Sequence, residues 1–186
     1  MNQEANTVRS SSAKSNSKRL AYLLRHDALY GFEPGGWRRM RDLIDNHGFS
    51  SAILEYIVAN DTKGRYEFSS DKSTVRARWG HSIPISLGVE SDNVPDTLYH
   101  GTAERYLQSI KKDGIKRRER QFVHLTDDRI LAMETGKRHG NPVVITIKAK
   151  AMKEDGVKFW KRGDRIWLTK QVDAQYLNIK DSNSSQ

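Results

Sequence analysis

Three stretches between residues 17 and 58 place apolar side chains three and four positions apart, the spacing of a helix with one buried face. Leu20, Leu23 and Leu24 make one stripe, in a helix expected from a Ser17 cap to about Leu29; Gly31, Pro34, Gly35 and Gly36 stop it. Met40, Leu43 and Ile44 give the inner face of a short second helix after Trp37. Ile53, Leu54, Ile57 and Val58 give that of a third, capped by Ser50 or Ser51. After Gly64 the period drops to two: Tyr66 and Phe68 alternate with Arg65 and Glu67. Ser70-Asp71-Lys72 turns the chain, and Val75-Arg76-Ala77 returns as a second strand.

Three helices and a hairpin over 17–82 are the pattern of a winged-helix lobe, a common nucleic-acid-binding module. Residues 83–96, with Pro84, Gly88 and Pro95, read as a linker. Beyond them short strands alternate with short helices. A strand over 97–100 is followed by a Gly101-Thr102 turn and a helix carrying Ala103, Tyr106, Leu107 and Ile110. A strand over 122–125 leads to a helix opened by Thr126 and Asp127, and two further strands cover 143–147 and 166–168. The fold class is therefore α+β, in two lobes of 17–82 and 97–180. The Ser/Asn-rich 1–16 is expected to be a disordered leader and 181–186 a loose tail.

Charge sharpens this picture. The 186 residues hold 32 Lys and Arg against 23 Asp and Glu, a net +9 that favours polyanionic partners. The absence of Cys excludes disulfides, a thiolate metal site and a cysteine nucleophile, which fits a cytoplasmic or nuclear setting. No HExxH or Asp/Glu cluster has metal-ligand spacing, so no metal is expected, and no apolar run suits a membrane.

Candidate chemistry falls in segments rich in Arg, His and Gly: Arg25-His26, Arg76 with Gly80-His81-Ser82, Leu98-Tyr99-His100-Gly101-Thr102, Arg120, and Arg138-His139-Gly140. Cations and accessible backbone N–H groups suit phosphates, and none of these segments brings the paired carboxylates of an acid/base hydrolase. Each segment alone is weak. A strand-end His is usually structural, and Arg25 at the edge of an apolar stripe suits a surface ion pair.

In this order, the segments resemble the tRNA 2′-phosphotransferase family. They run from Ser17-Lys18-Arg19-Leu20 through Arg25-His26, Gly36-Trp37, Arg76, Gly80-His81-Ser82, His100-Gly101-Thr102, Arg120, Val123-His124-Leu125-Thr126, Gly136, Arg138-His139-Gly140 and Ile166-Trp167-Leu168-Thr169. The resemblance implies a winged-helix lobe joined to an ADP-ribosyltransferase-like lobe. It also implies an NAD-dependent transferase that removes an internal 2′-phosphate from RNA. The expected route passes through an ADP-ribosylated 2′-phosphate and releases nicotinamide and ADP-ribose 1″,2″-cyclic phosphate. By matching position Arg25, His26, Arg76 and Arg120 are the implied catalytic group. His100, Gly101, Thr102, Thr126, Arg138, His139 and Gly140 are the implied NAD contacts.

A dianionic phosphate needs cations in line more than it needs a general base, which explains the arginines. His26, able to exist in both forms near neutrality, is the expected proton carrier. Trp79, before Gly80-His81, stands where the family usually has Gln, and Gly163-Asp164-Arg165 replaces an Asn-Gly pair. The expected partners are 2′-phosphorylated RNA and NAD, the expected state a monomer. Alternatives are an ADP-ribosyltransferase capping terminal phosphates, or a non-catalytic winged-helix binding protein.

Overall fold

The computed structural model describes the backbone of residues 2–179 and the side chains of residues 14–179. The chain divides into two compact units, 1–88 and 89–186. Both mix helices with antiparallel strands, an α+β composition. Among the described residues no helix is long and apolar enough to cross a membrane.

In the first unit helix α1 spans Asn2–Arg25, β1 Trp37–Arg39, α2 Met40–Asp45, α3 Ser51–Ala59, β2 Tyr66–Phe68 and β3 Thr74–Ala77. Leu20, Leu23 and Leu24 of α1 pack with Leu43, Leu54, Ile57 and Val75 into one buried cluster. Ser50 caps α3, its hydroxyl accepting from Ile53 N. Helix α1 departs from expectation at both ends. It begins at Asn2, so the segment expected as a disordered leader is helical, and Ser17 caps nothing. The Ser17 hydroxyl accepts from Arg65 and its carbonyl from the Tyr66 hydroxyl. The helix also stops at Arg25, short of Leu29, because the Asp27 carboxylate takes the Leu29 N–H in a turn that competes with helix. Strand β1, where only a helix entry is expected, pairs with the central strand β3 of a β1-β3-β2 sheet.

Residues 83–96 are not one linker. Ile83, Ile85 and Leu87 are buried while Ser82, Pro84 and Ser86 between them are exposed, the alternation of an extended arm with one face inward. The unit boundary falls after Gly88, and Ser91 is bonded to Phe159 O and to Lys161 N within the second unit.

The second unit is built on a six-stranded sheet in which every neighbouring pair is antiparallel. Its members are β4 Thr97–Ala103, β6 Val123–Thr126, β7 Pro142–Lys148, β8 Trp160–Arg162, β9 Ile166–Thr169 and β11 Leu177–Asn178, in the order β11-β7-β4-β6-β9-β8. Strands β5 Ile115–Lys116 and β10 Gln171–Val172 form a small separate pair. Helices α4 Leu107–Asp113, α5 Arg129–Lys137 and α6 Ala149–Glu154 complete it. Leu98, Ile145, Ile147, Phe159 and Trp167 lie in its core.

Gly101 and Thr102 are not a turn: β4 pairs with β7 through Ala103, and a 3₁₀ turn over Glu104–Tyr106 precedes α4. Asp128, not Thr126 or Asp127, caps α5, accepting from Ile130 N and Leu131 N. The tail expected to be loose, 181–186, lies outside the described residues.

Candidate functional site

The sheet of the first unit sets three of the implied catalytic residues in one neighbourhood. Arg76 sits mid-strand on β3 with Trp37 opposite on β1 and Glu67 opposite on β2. Its guanidinium carbon lies 4.2 Å from the Trp37 ring centroid. Nε donates to Glu67 at 2.5 Å and Nη1 to Gly35 O at 3.2 Å. Glu67 holds Arg78 through its second oxygen, at 3.2 Å. Arg76 is thereby fixed in plane, with its Nη2 edge in none of these bonds.

Arg25, in the last turn of α1, lies against the backbone of Gly80. A Cβ there would stand 3.2 Å from the Arg25 Cζ, and the φ of +95° at Gly80 is one that L side chains rarely adopt. His26 Nδ1 is 2.8 Å from the Ser82 hydroxyl, and Ser82 N donates to Arg25 O at 3.0 Å. His81, between these anchors, is buried against Gly36, next to the Gly35 carbonyl that receives Arg76. The Gly35-Gly36 and Gly80-His81-Ser82 turns thus tie Arg76 to Arg25 and His26.

Sequence reasoning missed Glu67 and left Ser82 without a role. Alternation had already put Glu67 on the strand facing Arg76, and that carboxylate in register was the available signal. It also missed Arg38, which is 1% exposed. Arg38 donates to Leu23 O, Asp27 and Asp42, pairs with His47 Nε2 at 2.7 Å and stacks on Tyr30 at 4.0 Å. Burial raises the Asp42 pKa, but hydrogen bonds from Asn46 and Arg38 outweigh it and hold the carboxyl below its ordinary range.

In the second unit His100 on β4 reaches across to β6, its Nδ1 3.0 Å from His124 O. A carbonyl only accepts, so Nδ1 carries the proton and Nε2 presents a lone pair. Burial pushes the His100 pKa below the ordinary imidazole value; the bond to His124 O opposes this and the nearby His139 adds to it. His100 is therefore neutral at pH 7. Thr102 and Thr126 are both buried, and the Thr126 hydroxyl accepts from Asp128 N at 3.1 Å. The Leu131 N–H is the main cause that holds the Asp128 pKa down, against a smaller effect of burial and with help from the Ile130 N–H and Arg165.

Gly101 has a different reason from the one expected of a ligand-cradling turn. A Cβ on it would fall 1.7 Å from Ala132 O, and one on Gly136 would fall 2.7 Å from Thr102 O. The two glycines let α5 lie directly on β4. Arg138, His139 and Gly140 follow α5 as an exposed turn, in which Gly140 rests near Ala103 and Asn141 is bonded to Glu104. Arg120 is exposed in the loop before β6 and makes no hydrogen bond or ion pair among the described residues.

Comparison with known proteins shows the family of the chain. Residues 11–171 match the family described as "RNA 2′-phosphotransferase, Tpt1 / KptA family". A protein of Flavobacterium johnsoniae is 35% identical over 176 residues, covering 90% of this chain and 97% of the relative. One of Thermococcus kodakarensis is 40% identical over 172 residues, 88% of this chain and 94% of the relative. One of Escherichia coli strain SE11 is 37% identical over 170 residues, 87% and 92%. All three are named "Probable RNA 2′-phosphotransferase". A family match across most of the chain, with relatives covered almost end to end, makes this chain a member of the RNA 2′-phosphotransferase, Tpt1 / KptA family.

Proposed function

We propose that the protein removes 2′-phosphates from RNA with NAD⁺ as co-substrate. In this reading the first unit is a winged-helix lobe that receives the RNA phosphate, and the second an ADP-ribosyltransferase-like lobe that receives NAD⁺. The observation that carries it is Arg76, a guanidinium immobilised on three sides with one edge unspent. Such a group is preorganised for a phosphate dianion and unsuited to a neutral substrate.

His100 supports the NAD⁺ assignment. A neutral imidazole whose Nε2 accepts fits a ribose hydroxyl and would not attract a second anion. Thr102, Thr126 and the 138–140 turn lie on or beside the same strands and would complete the pocket. Gly101 serves through helix packing. NAD⁺ supplies a ribose carbon made electrophilic by its nicotinamide leaving group.

The residues do the rest. Arg76 and Arg25 hold the phosphate in line, and Arg120 adds charge as negative charge builds on phosphorus. His26, with Nδ1 held by Ser82, exchanges protons at Nε2. It takes the proton of the attacking ribose 2″-hydroxyl and returns it to the departing RNA 2′-oxygen. RNA leaves with a 2′-hydroxyl, nicotinamide is released, and the phosphate leaves as ADP-ribose 1″,2″-cyclic phosphate.

The test is mass spectrometry of a 2′-phosphorylated oligonucleotide incubated with the protein, with and without NAD⁺. Loss of one phosphate together with released nicotinamide supports the reading. Phosphate loss without NAD⁺, or a stable ADP-ribosylated RNA as end product, overturns it.

A further inference from the structure

Lys14, Lys18 and Tyr22 follow one another at four-residue spacing along α1, His26 takes the next such position just past its end, and all four are exposed. Four residues advance a helix by roughly 6 Å, so the stripe forms a single raised row ending at the proposed phosphate site. Tyr22 is 60% exposed, and its ring centroid lies 5.8 Å from that of His26 at an interplanar angle of 43°. An exposed aromatic ring beside that imidazole offers a stacking face next to the proposed phosphate site.

The lysines differ from four other basic residues of this unit. Arg39, Arg41, Arg65 and Lys72 each have a carboxylate within ion-pair distance. Among the described residues Lys14 and Lys18 have neither an ion-pair nor a hydrogen-bond partner. Their charge is therefore available to an external anion.

We infer that this face of α1 is the track for the single-stranded RNA flanking the 2′-phosphate. Tyr22 stacks on the nucleobase beside the reacting nucleotide, and Lys18 and Lys14 take successive backbone phosphates. The inference rests on the functional reading above. An aromatic platform followed by spaced cations is how single strands are held without sequence preference, because every base has a π-face. It assigns the enzyme a binding preference for unpaired RNA around the modified nucleotide.

The experiment is fluorescence anisotropy without NAD⁺, using 2′-phosphorylated oligoribonucleotides extended on the 5′ or the 3′ side. Tyr22→Ala should weaken binding roughly 5- to 150-fold, and Tyr22→Phe should bind nearly as the parent does. The Tyr22→Ala loss should vanish on a probe with abasic sites flanking the 2′-phosphate. Lys14→Gln and Lys18→Gln should each reduce the slope of log affinity against log salt by about 0.7, on the probe extended along the track. An equal Tyr22→Ala loss on the abasic probe, or unchanged salt slopes for both extensions, would overturn the track. Matched thermal melts separate these effects from unfolding. A parent protein that binds the probe but fails to remove its phosphate with NAD⁺ overturns the functional reading instead.

Discussion

Arg76 lies over the Trp37 ring, guanidinium carbon to ring centroid 4.2 Å, because the β1–β3 register sets the two residues directly opposite. A three-residue strand therefore does more than extend the sheet. It removes one face of the guanidinium from water while Glu67 fixes its Nε and the Gly35 carbonyl its Nη1. An arginine so constrained loses little entropy when a phosphate arrives, and its remaining edge points one way.

The orientation of Arg76 depends on Glu67, which also holds Arg78. Glu67→Gln keeps the shape but lets both guanidiniums drift, and misplacing a positioned group by about an ångström can cost about 10²-fold in rate. We expect kcat to fall by up to that factor with the NAD⁺ KM unchanged. Arg76→Lys, which keeps charge but loses the fork, should cost about 10²–10³-fold. Steady-state kinetics beside thermal melts would check both, and wild-type kcat in Glu67→Gln would refute the role assigned to that carboxylate.

Gly101→Ala tests packing against cradling. Its Cβ would fall on Ala132 O, so α5 must move off β4, at a cost of about 1–3 kcal/mol or more in unfolding free energy. Gly31→Ala, where nothing lies within 4 Å and φ is not positive, should change stability by less than about 0.5 kcal/mol. Urea denaturation of the two variants reads the difference. If Gly101→Ala were as stable as the parent and lost only NAD⁺ affinity, the glycine would belong to the ligand after all.

That glycine also marks the limit of what the sequence could reveal. Periodicity located all three helices of the first unit and its hairpin, because Leu23-Leu24, Leu54-Ile57 and the Tyr66/Phe68 alternation report burial locally. It missed β1, β5, β8, β10 and β11, strands of two or three residues, all but β8 defined by partners far away in the chain. Motif order picked out Arg25, His26 and Arg76, and the structure ties them through two glycine turns. Ser82 and Arg38 stayed silent, since a hydroxyl or a buried guanidinium shows its task only once its ring or its carboxylates are in place. Ile83, Ile85 and Leu87 were read past because Pro84 and Gly88 suggested a linker. Their alternation was itself the strand-like signal.

Charge stabilisation by guanidiniums needs no bound cation. Arg76, held by Glu67, and Arg25, set against Gly80, already present fixed positive charge. Activity on a 2′-phosphorylated oligonucleotide should accordingly persist in excess EDTA and vanish when NAD⁺ is omitted. Chelator-sensitive activity that a divalent ion restores would mean that another charge shares the site.

The His100 pKa gives a stability prediction of definite sign. Burial keeps the ring neutral in the folded protein, whereas in the unfolded chain it titrates near the ordinary value of 6.5. Below that pH the unfolded chain binds a proton that the folded state refuses, so the unfolded state gains and stability falls as pH drops through the window. Above it both states are neutral at this position and the contribution is flat. His100→Asn removes the group, so the difference in urea-unfolding free energy between parent and variant should change between about pH 5 and about pH 7.5. It should shift in the variant's favour on the acid side. A constant difference across the range would mean that His100 takes its proton normally. Its Nε2 would then be a donor in acid, and the lone pair assigned to the ribose hydroxyl would be lost with it.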